Sequence, residues 1–426
     1  MPSLLQQITQ NIAGYNPESL RVDIAQRAIA DFIQPITETE HIPLRRALGR
    51  TLACDVISPI NVPSHDNSAM DGYAFRGADL TSDATELTVV GKAFAGHPYS
   101  AAVQAGECVR IMTGAVIPSG CDSVIPQELV SIVNTQTIRI APGVIQAGLH
   151  LRLAGEDVRT GAVALHQGRC LTPSDLGLLA SLGIAEMEVM RRLRVAFFST
   201  GDELRSLGES LDAGCVYDSN RYTLHAMIER ANFTPLDLGV VRDDPASLEA
   251  ALRDACKQAD VIITTGGVSA GDADHTRTMM GRLGEVLFWK IAMRPGRPMA
   301  FGQIRVDGKT ALLFGLPGNP VAVMATFYFF ARDALFRLQG TSADRPPIVR
   351  AITEQTIAKR PGRTEFQRGV LSFDASGNAQ VRLTGAQGSG ILSSMSDANC
   401  MVVLGHNEGD IQAGQAVNTI PFSGLL

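Results

Sequence analysis

The stretch Ala259-Asp-Val-Ile-Ile-Thr-Thr-Gly-Gly-Val-Ser-Ala-Gly-Asp-Ala-Asp-His-Thr276 decides how this chain is read. A β-branched run, Val261 to Thr265, enters a loop of glycines and carboxylates, and a helix-like stretch follows. A strand that passes through glycine into a helix start is how an open α/β sheet offers backbone N–H groups to an anion. A bare phosphate would be repelled by Asp272 and Asp274, so the loop points to a metal held between carboxylate and phosphate.

Around this stretch, strands alternate with helices. Val195 to Ser199 reads as a strand, Tyr222 to Arg230 as a helix and Leu236 to Val241 as a strand. A helix from Pro245 to Gln258 follows, capped by Asp244, and Val261 to Thr265 closes the series. That rhythm implies βαβ units and a parallel sheet. Upstream, Asn16-Pro17-Glu18 opens a helix with Leu20, Ile24, Ala28 and Phe32 along one face. From Ser58 to His150, short alternating runs between Gly, Pro, Asp and Asn turns give a mainly β module. Ser174 to Leu182 reads as a helix capped by Ser174 and stopped by Gly183, and after Gly340 short strands return, as in a small barrel or sandwich. The fold class is multidomain α/β plus β.

Composition narrows the function. The chain has 426 residues, 45% hydrophobic and 19% charged, with a net charge of −6, so it lacks the basic footprint of a nucleic-acid binder. Its seven cysteines are scattered and never spaced C-x-x-C, which reads as free thiols in a reducing compartment. No signal-like N-terminus stands out, and the apolar segment Val321 to Phe336 is interrupted by Arg332 and Asp333. A cytoplasmic protein without a membrane span is the expectation.

In a parallel sheet the ligand crevice lies outside the carboxyl ends of the strands. Those ends carry Glu203, Asp243 and Asp274, an acidic rim suited to a cation. Asp244 reads as a helix cap and Asp202 as a turn residue. Lys290, Arg294 and Arg297 form a basic stretch that could grip an oxyanion, and Pro317-Gly318-Asn319-Pro320 is a rigid turn entering a helix. Two motifs mislead. Gly267-Val268-Ser269-Ala270-Gly271 matches a nucleophile elbow, with Asp374 and His406 in triad order, but no oxyanion loop accompanies it. Gly302 to Thr310 approximates a P-loop with one residue too many, and its Asp-Gly pair reads better as a hairpin turn.

Seven motifs then carry a family likeness. They are Asp66 to Ala74, Arg110 to Ala115, Gly155-Glu156-Asp157, Ser199 to Leu204, Thr265 to Ser269, Pro317 to Pro320 and Phe366 to Gly369. Together and in this order, the chain resembles the molybdopterin molybdenumtransferases, the family that includes the C-terminal domain of gephyrin. The resemblance implies four domains: a helical and extended one from 1–57 with 151–190, an inserted mainly β one at 58–150, an α/β molybdopterin-binding one at 191–340 and a β-barrel-like one at 341–426.

It also implies insertion of molybdate into adenylylated molybdopterin with Mg²⁺ present and AMP released, in a homodimer whose active sites draw on both subunits. Glu203, Asp243, Asp274, Lys290 and Arg294 match its motif positions, as does Asp157, with Asp66 and Thr113 coming from the partner chain. The glycine loop (Gly266, Gly267, Ser269, Gly271), the turn Pro317, Gly318, Asn319, Pro320, and Arg363 and Arg368 are then substrate-binding candidates. Partners implied are a molybdopterin adenylyltransferase and molybdoenzyme maturation proteins. Many family members have Lys where this chain has Arg294 and Arg297, and a guanidinium is not interchangeable with an ammonium. The competing readings are an adenylyltransferase, a scaffold and a serine hydrolase.

Overall fold

A computed structural model describes residues 3–267, 275–341 and 346–425. The chain forms two compact units, one from Met1–Glu40, Gly49–Thr51 and Met190–Leu426, the other from His41–Leu48 and Leu52–Val189.

The first unit is built on a six-stranded sheet. Its order is Thr234–Val241, Arg194–Thr200, Val261–Thr265, Lys309–Leu316, Pro298–Val306, Gly284–Lys290. Val261–Thr265 therefore does not close the series, because three further strands extend the sheet. Only Pro298–Val306 runs against the rest. Five strands consequently end at one edge. Alternation along Arg194–Thr200 sorts the core: Val195 and Phe197 pack on one face with Leu224 and Ile228, Ala196 and Phe198 on the other with Leu248 and Leu252. The helices Ser219–Arg230 and Pro245–Gln258 thus cover opposite faces, and Asp244 caps the latter through the N–H groups of Ala246 and Ser247. These bonds, that of Ser247 foremost, hold the Asp244 carboxyl below the usual carboxylate range. Asp307 and Gly308, both at positive φ, turn the Pro298–Val306 and Lys309–Leu316 hairpin, which settles the P-loop question.

The helix expected to open at Asn16 begins later, at Val22. Asn16 instead accepts from the N–H of Glu18 in a turn, and Leu20 is spent on bonds with Lys290 and Ala292. An additional helix, Leu4–Asn11, starts from a Ser3–Gln6 capping box. The apolar segment near 321–336 is three pieces: α-helix Pro320–Thr326, a π-helical turn Phe327–Ala331 and α-helix Arg332–Leu338. Among the described residues, no helix is long and apolar enough to cross a membrane. Five C-terminal strands close into a barrel, since Thr364–Phe373 pairs with both Ala379–Leu383 and Cys400–Leu404, and Val349–Thr353 and Ala416–Pro421 complete the circuit.

The second unit holds a six-stranded, largely antiparallel sheet with cores on both faces, around Phe75 and Ile125 on one and Val109 and Val124 on the other. Its helix Pro173–Ser181 is capped by Thr172, not Ser174, because Thr172 and Asp175 form a reciprocal capping box and Pro173 occupies the first turn. Gly183 ends it at φ +74°. All seven cysteines are free thiols.

Candidate active site

The sheet order places the strand ends that precede Asp243, Glu203 and the glycine loop side by side. The chain leaves Arg194–Thr200 toward one side and then crosses to Val261–Thr265 on the other, which makes their junction the switch point where α/β ligands bind. A cavity of about 840 Å³ opens there, within the usual range of ligand pockets.

Its walls are three backbone turns and a basic segment. Glu203, Leu204 and Val216 form one side, Gly266 and Gly267 the floor, and Pro317–Pro320 the next wall. Met293 to Pro298 lies opposite, with Arg363 and Gln387 to Ser389 from the C-terminal region. The floor can only be glycine. Gly266 has φ +85°, and a Cβ there would stand 2.4 Å from the carbonyl oxygen of Thr200. Gly267 would meet the Thr276 hydroxyl at the same distance, 2.4 Å.

The electrostatics oppose a carboxylate to cations. The Glu203 side chain is exposed on the cavity and has no hydrogen-bond or ion-pair partner among the described residues, while Asp243, at the neighbouring strand end, does not line the cavity and keeps Oδ1 buried with no partner. The hydroxyls of Thr200, Thr264 and Thr276 are likewise buried without partners. Arg294 and Arg297 are exposed on the cavity wall, and neither side chain has a hydrogen-bond or ion-pair partner among the described residues. Arg294 is held by parallel pairing of Met293–Arg294 with Thr364–Glu365. Arg363 also lines the cavity, but its charge is spent on buried Glu365 at 2.8 Å.

Not every residue expected here is brought to the cavity. Lys290 ends the edge strand Gly284–Lys290, does not line the cavity and is ion-paired with Glu18. Arg368 is fully buried, and its guanidinium donates to Ser394 Oγ and to the carbonyls of Ala386 and Gly388. It holds the Gln387–Ser389 loop from behind instead of touching a ligand. Burial, then the charge of Arg294, pushes its pKa down to about 10. Arg368→Met takes the donor from the Ala386 and Gly388 carbonyls and from the Ser394 hydroxyl, of which Gly388 and Ser394 keep bonds to Ile391, so it should cost about 2 kcal/mol of stability, read as a lowered Tm.

Ser269, Gly271 and Asp274 lie outside the described residues. Among the described residues, no three His, Cys, Asp or Glu side chains gather as a metal site. No hydrogen bond or ion pair joins Asp374 to His406; Asp374 caps the Ser376–Asn378 turn, so the hydrolase triad is not assembled. The loop Gln387-Gly388-Ser389 also lines the cavity, and no motif in the sequence marked it.

In the second unit three motifs interlock. Gly114 and Ala115 exchange bonds with Ser68, Ile117 donates to the Asp66 carbonyl, and Asp66 Oδ1 accepts from the N–H of Ala154 at 2.7 Å. Thr113 gives its N–H and hydroxyl to Asp71 Oδ1, both at 2.7 Å, which holds that carboxyl below the usual range. Asp157 follows by bonding its N–H to Val62. Asp66, Thr113 and Asp157 are all exposed.

Three family profiles match in order: the MoeA N-terminal region (domain I and II) at residues 20–183, a probable molybdopterin binding domain at 196–337 and the MoeA C-terminal region (domain IV) at 350–422. The molybdopterin molybdenumtransferase of Haemophilus influenzae is 43% identical over 96% of this chain and 100% of its own. Molybdopterin molybdenumtransferase 2 of Mycobacterium tuberculosis is 38% identical over 82% of this chain and 87% of its own. The crystal structure of the molybdopterin biosynthesis moeA protein from Pyrococcus horikoshii superposes with a TM-score of 0.82 at 30% identity, covering 95% of this chain and 100% of that one. The cavity at the switch point of a matched molybdopterin-binding domain therefore has its family: this chain belongs to the molybdopterin molybdenumtransferases, enzymes of molybdenum cofactor biosynthesis.

Proposed function

We propose that the chain inserts molybdate into adenylylated molybdopterin and releases AMP, with Mg²⁺ at the acidic rim. The observation that carries this reading is the cavity that sets Glu203 opposite Arg294 and Arg297, both unpaired among the described residues, at the sheet's switch point. Cleaving a phosphoanhydride requires neutralised phosphate oxygens and a positioned attacking group. Molybdate is a small tetrahedral dianion, and two such guanidiniums suit it.

The rim fits a hard cation. Mg²⁺ is commonly held by one or two carboxylates plus substrate phosphates, and Asp243 Oδ1 is a buried acceptor with no partner beside the Glu203 strand end. Glu203, Asp243 and Asp274 would hold it, and when bound it neutralises the anhydride oxygens. The chain's own residues do the rest: the glycine floor, without side chains, lets a phosphate come close to the backbone, and Pro317 and Pro320 restrict the wall they flank. The dithiolene sulfurs that receive the metal belong to the substrate, so protein cysteines take no part. We further propose a two-fold homodimer in the cytoplasm, in which Asp66, Thr113 and Asp157 of one protomer complete the rim of the other. The four domains drawn from the sequence remain part of this proposal.

Incubation with adenylylated molybdopterin, molybdate and Mg²⁺ tests the reading. AMP and molybdenum cofactor should appear one for one. Pyrophosphate released from molybdopterin and Mg-ATP instead would make the chain an adenylyltransferase.

A further inference from the structure

We propose that Asn220 is a positioning residue of this cavity, holding the Pro317–Pro320 wall through the carbonyl of Gly318. The inference rests on the reading above. Asn220 is the second residue of the helix Ser219–Arg230 and only 6% exposed. Its Nδ2 donates to the Gly318 oxygen at 2.7 Å. Its Oδ1 is buried with no partner, so the amide acts here as a donor alone.

Asparagine is a poor helix former, and a buried orphan acceptor costs free energy, so the helix gains nothing from this side chain. The gain lies across the cavity wall. Asp218 caps the helix and accepts from the N–H groups of Asn220 and Arg221, which fixes the first turn. Two residues before that cap, Val216 lines the cavity and donates its N–H to the carbonyl of Glu203 at 2.9 Å. Gly318 in turn rests against the floor, where a Cβ on it would lie 3.8 Å from Gly266 Cα. The segment 216–220 thus ties the Glu203 side of the cavity to the Pro317–Pro320 wall, and the Asn220 amide is the second of its two knots. Releasing it lets the Gly318 peptide rotate and changes the width between wall and floor.

Two variants test this. Asn220→Asp places an acceptor against the Gly318 carbonyl and repels it, and Asn220→Ala removes the donor. For whichever folds, with wild type alongside, KM for adenylylated molybdopterin should rise about tenfold while kcat per folded molecule stays within about threefold. Amide hydrogen exchange across residues 314–321 should quicken in the same variant without any substrate present. A residue needed only for stability would lower the folded fraction and leave KM alone. An unchanged KM, or unchanged exchange at 314–321, would overturn the proposal. If wild type itself shows no turnover, the functional reading falls, and the exchange result alone decides whether Asn220 holds the turn.

Discussion

Glu203→Gln should lower AMP release by about a thousandfold, because it removes a charge that a hard cation needs at the reacting phosphate. The amide keeps the shape of the side chain. The Glu203 carboxylate is exposed and makes no hydrogen bond or ion pair among the described residues, so its loss should change stability by no more than about 0.5 kcal/mol. The variant should therefore unfold at the wild-type temperature and still bind adenylylated molybdopterin. Raising Mg²⁺ should restore part of the rate, since the remaining carboxylates bind the ion more weakly. Near-normal AMP release at ordinary Mg²⁺ would remove Glu203 from the mechanism.

The second large effect is a regain of activity. Asp66→Asn and Glu203→Gln homodimers should each be nearly inactive. Unfolding and remixing them gives heterodimers in which one site has both native residues and the other has neither. With random pairing about half the dimers are mixed, so roughly a quarter of wild-type activity should return under a two-fold arrangement. Asparagine at position 66 still accepts from the Ala154 N–H, so the second unit's loop keeps its bond. If both residues served one site within one chain, every site would lack one of them. An inactive mixture, with heterodimers confirmed by a different affinity tag on each variant, would reject the shared site.

The α/β rhythm was legible because each signal there is local. Asp244 followed by Pro245 marks a helix start, and β-branched Val261 to Thr265 marks a strand, both found at those residues. Asp307-Gly308 marked its hairpin for the same reason. The start of the helix Val22–Phe32 was misread because Asn16 and Pro17 suit a turn as well as a helix cap, and distant Lys290 decided between them.

Charge was the least legible feature. Arg363, Arg368, Arg294 and Arg297 look alike in the sequence. One is spent on Glu365, one on loop carbonyls, and two stand free at the cavity among the described residues. Lys290 meets Glu18 across 272 positions, a pairing no spacing rule reveals. Asn220 carried no motif, and only its bond to Gly318 gives it meaning.

A crystal structure grown with AMP, Mg²⁺ and molybdate would show whether this cavity holds both metal and oxyanion. The ion should lie at about 2.1 Å from carboxylate oxygens of Glu203 or Asp243, and molybdate against Arg294 and Arg297 beside it. Metal and oxyanion bound elsewhere, with this cavity holding neither, would contradict the proposed function.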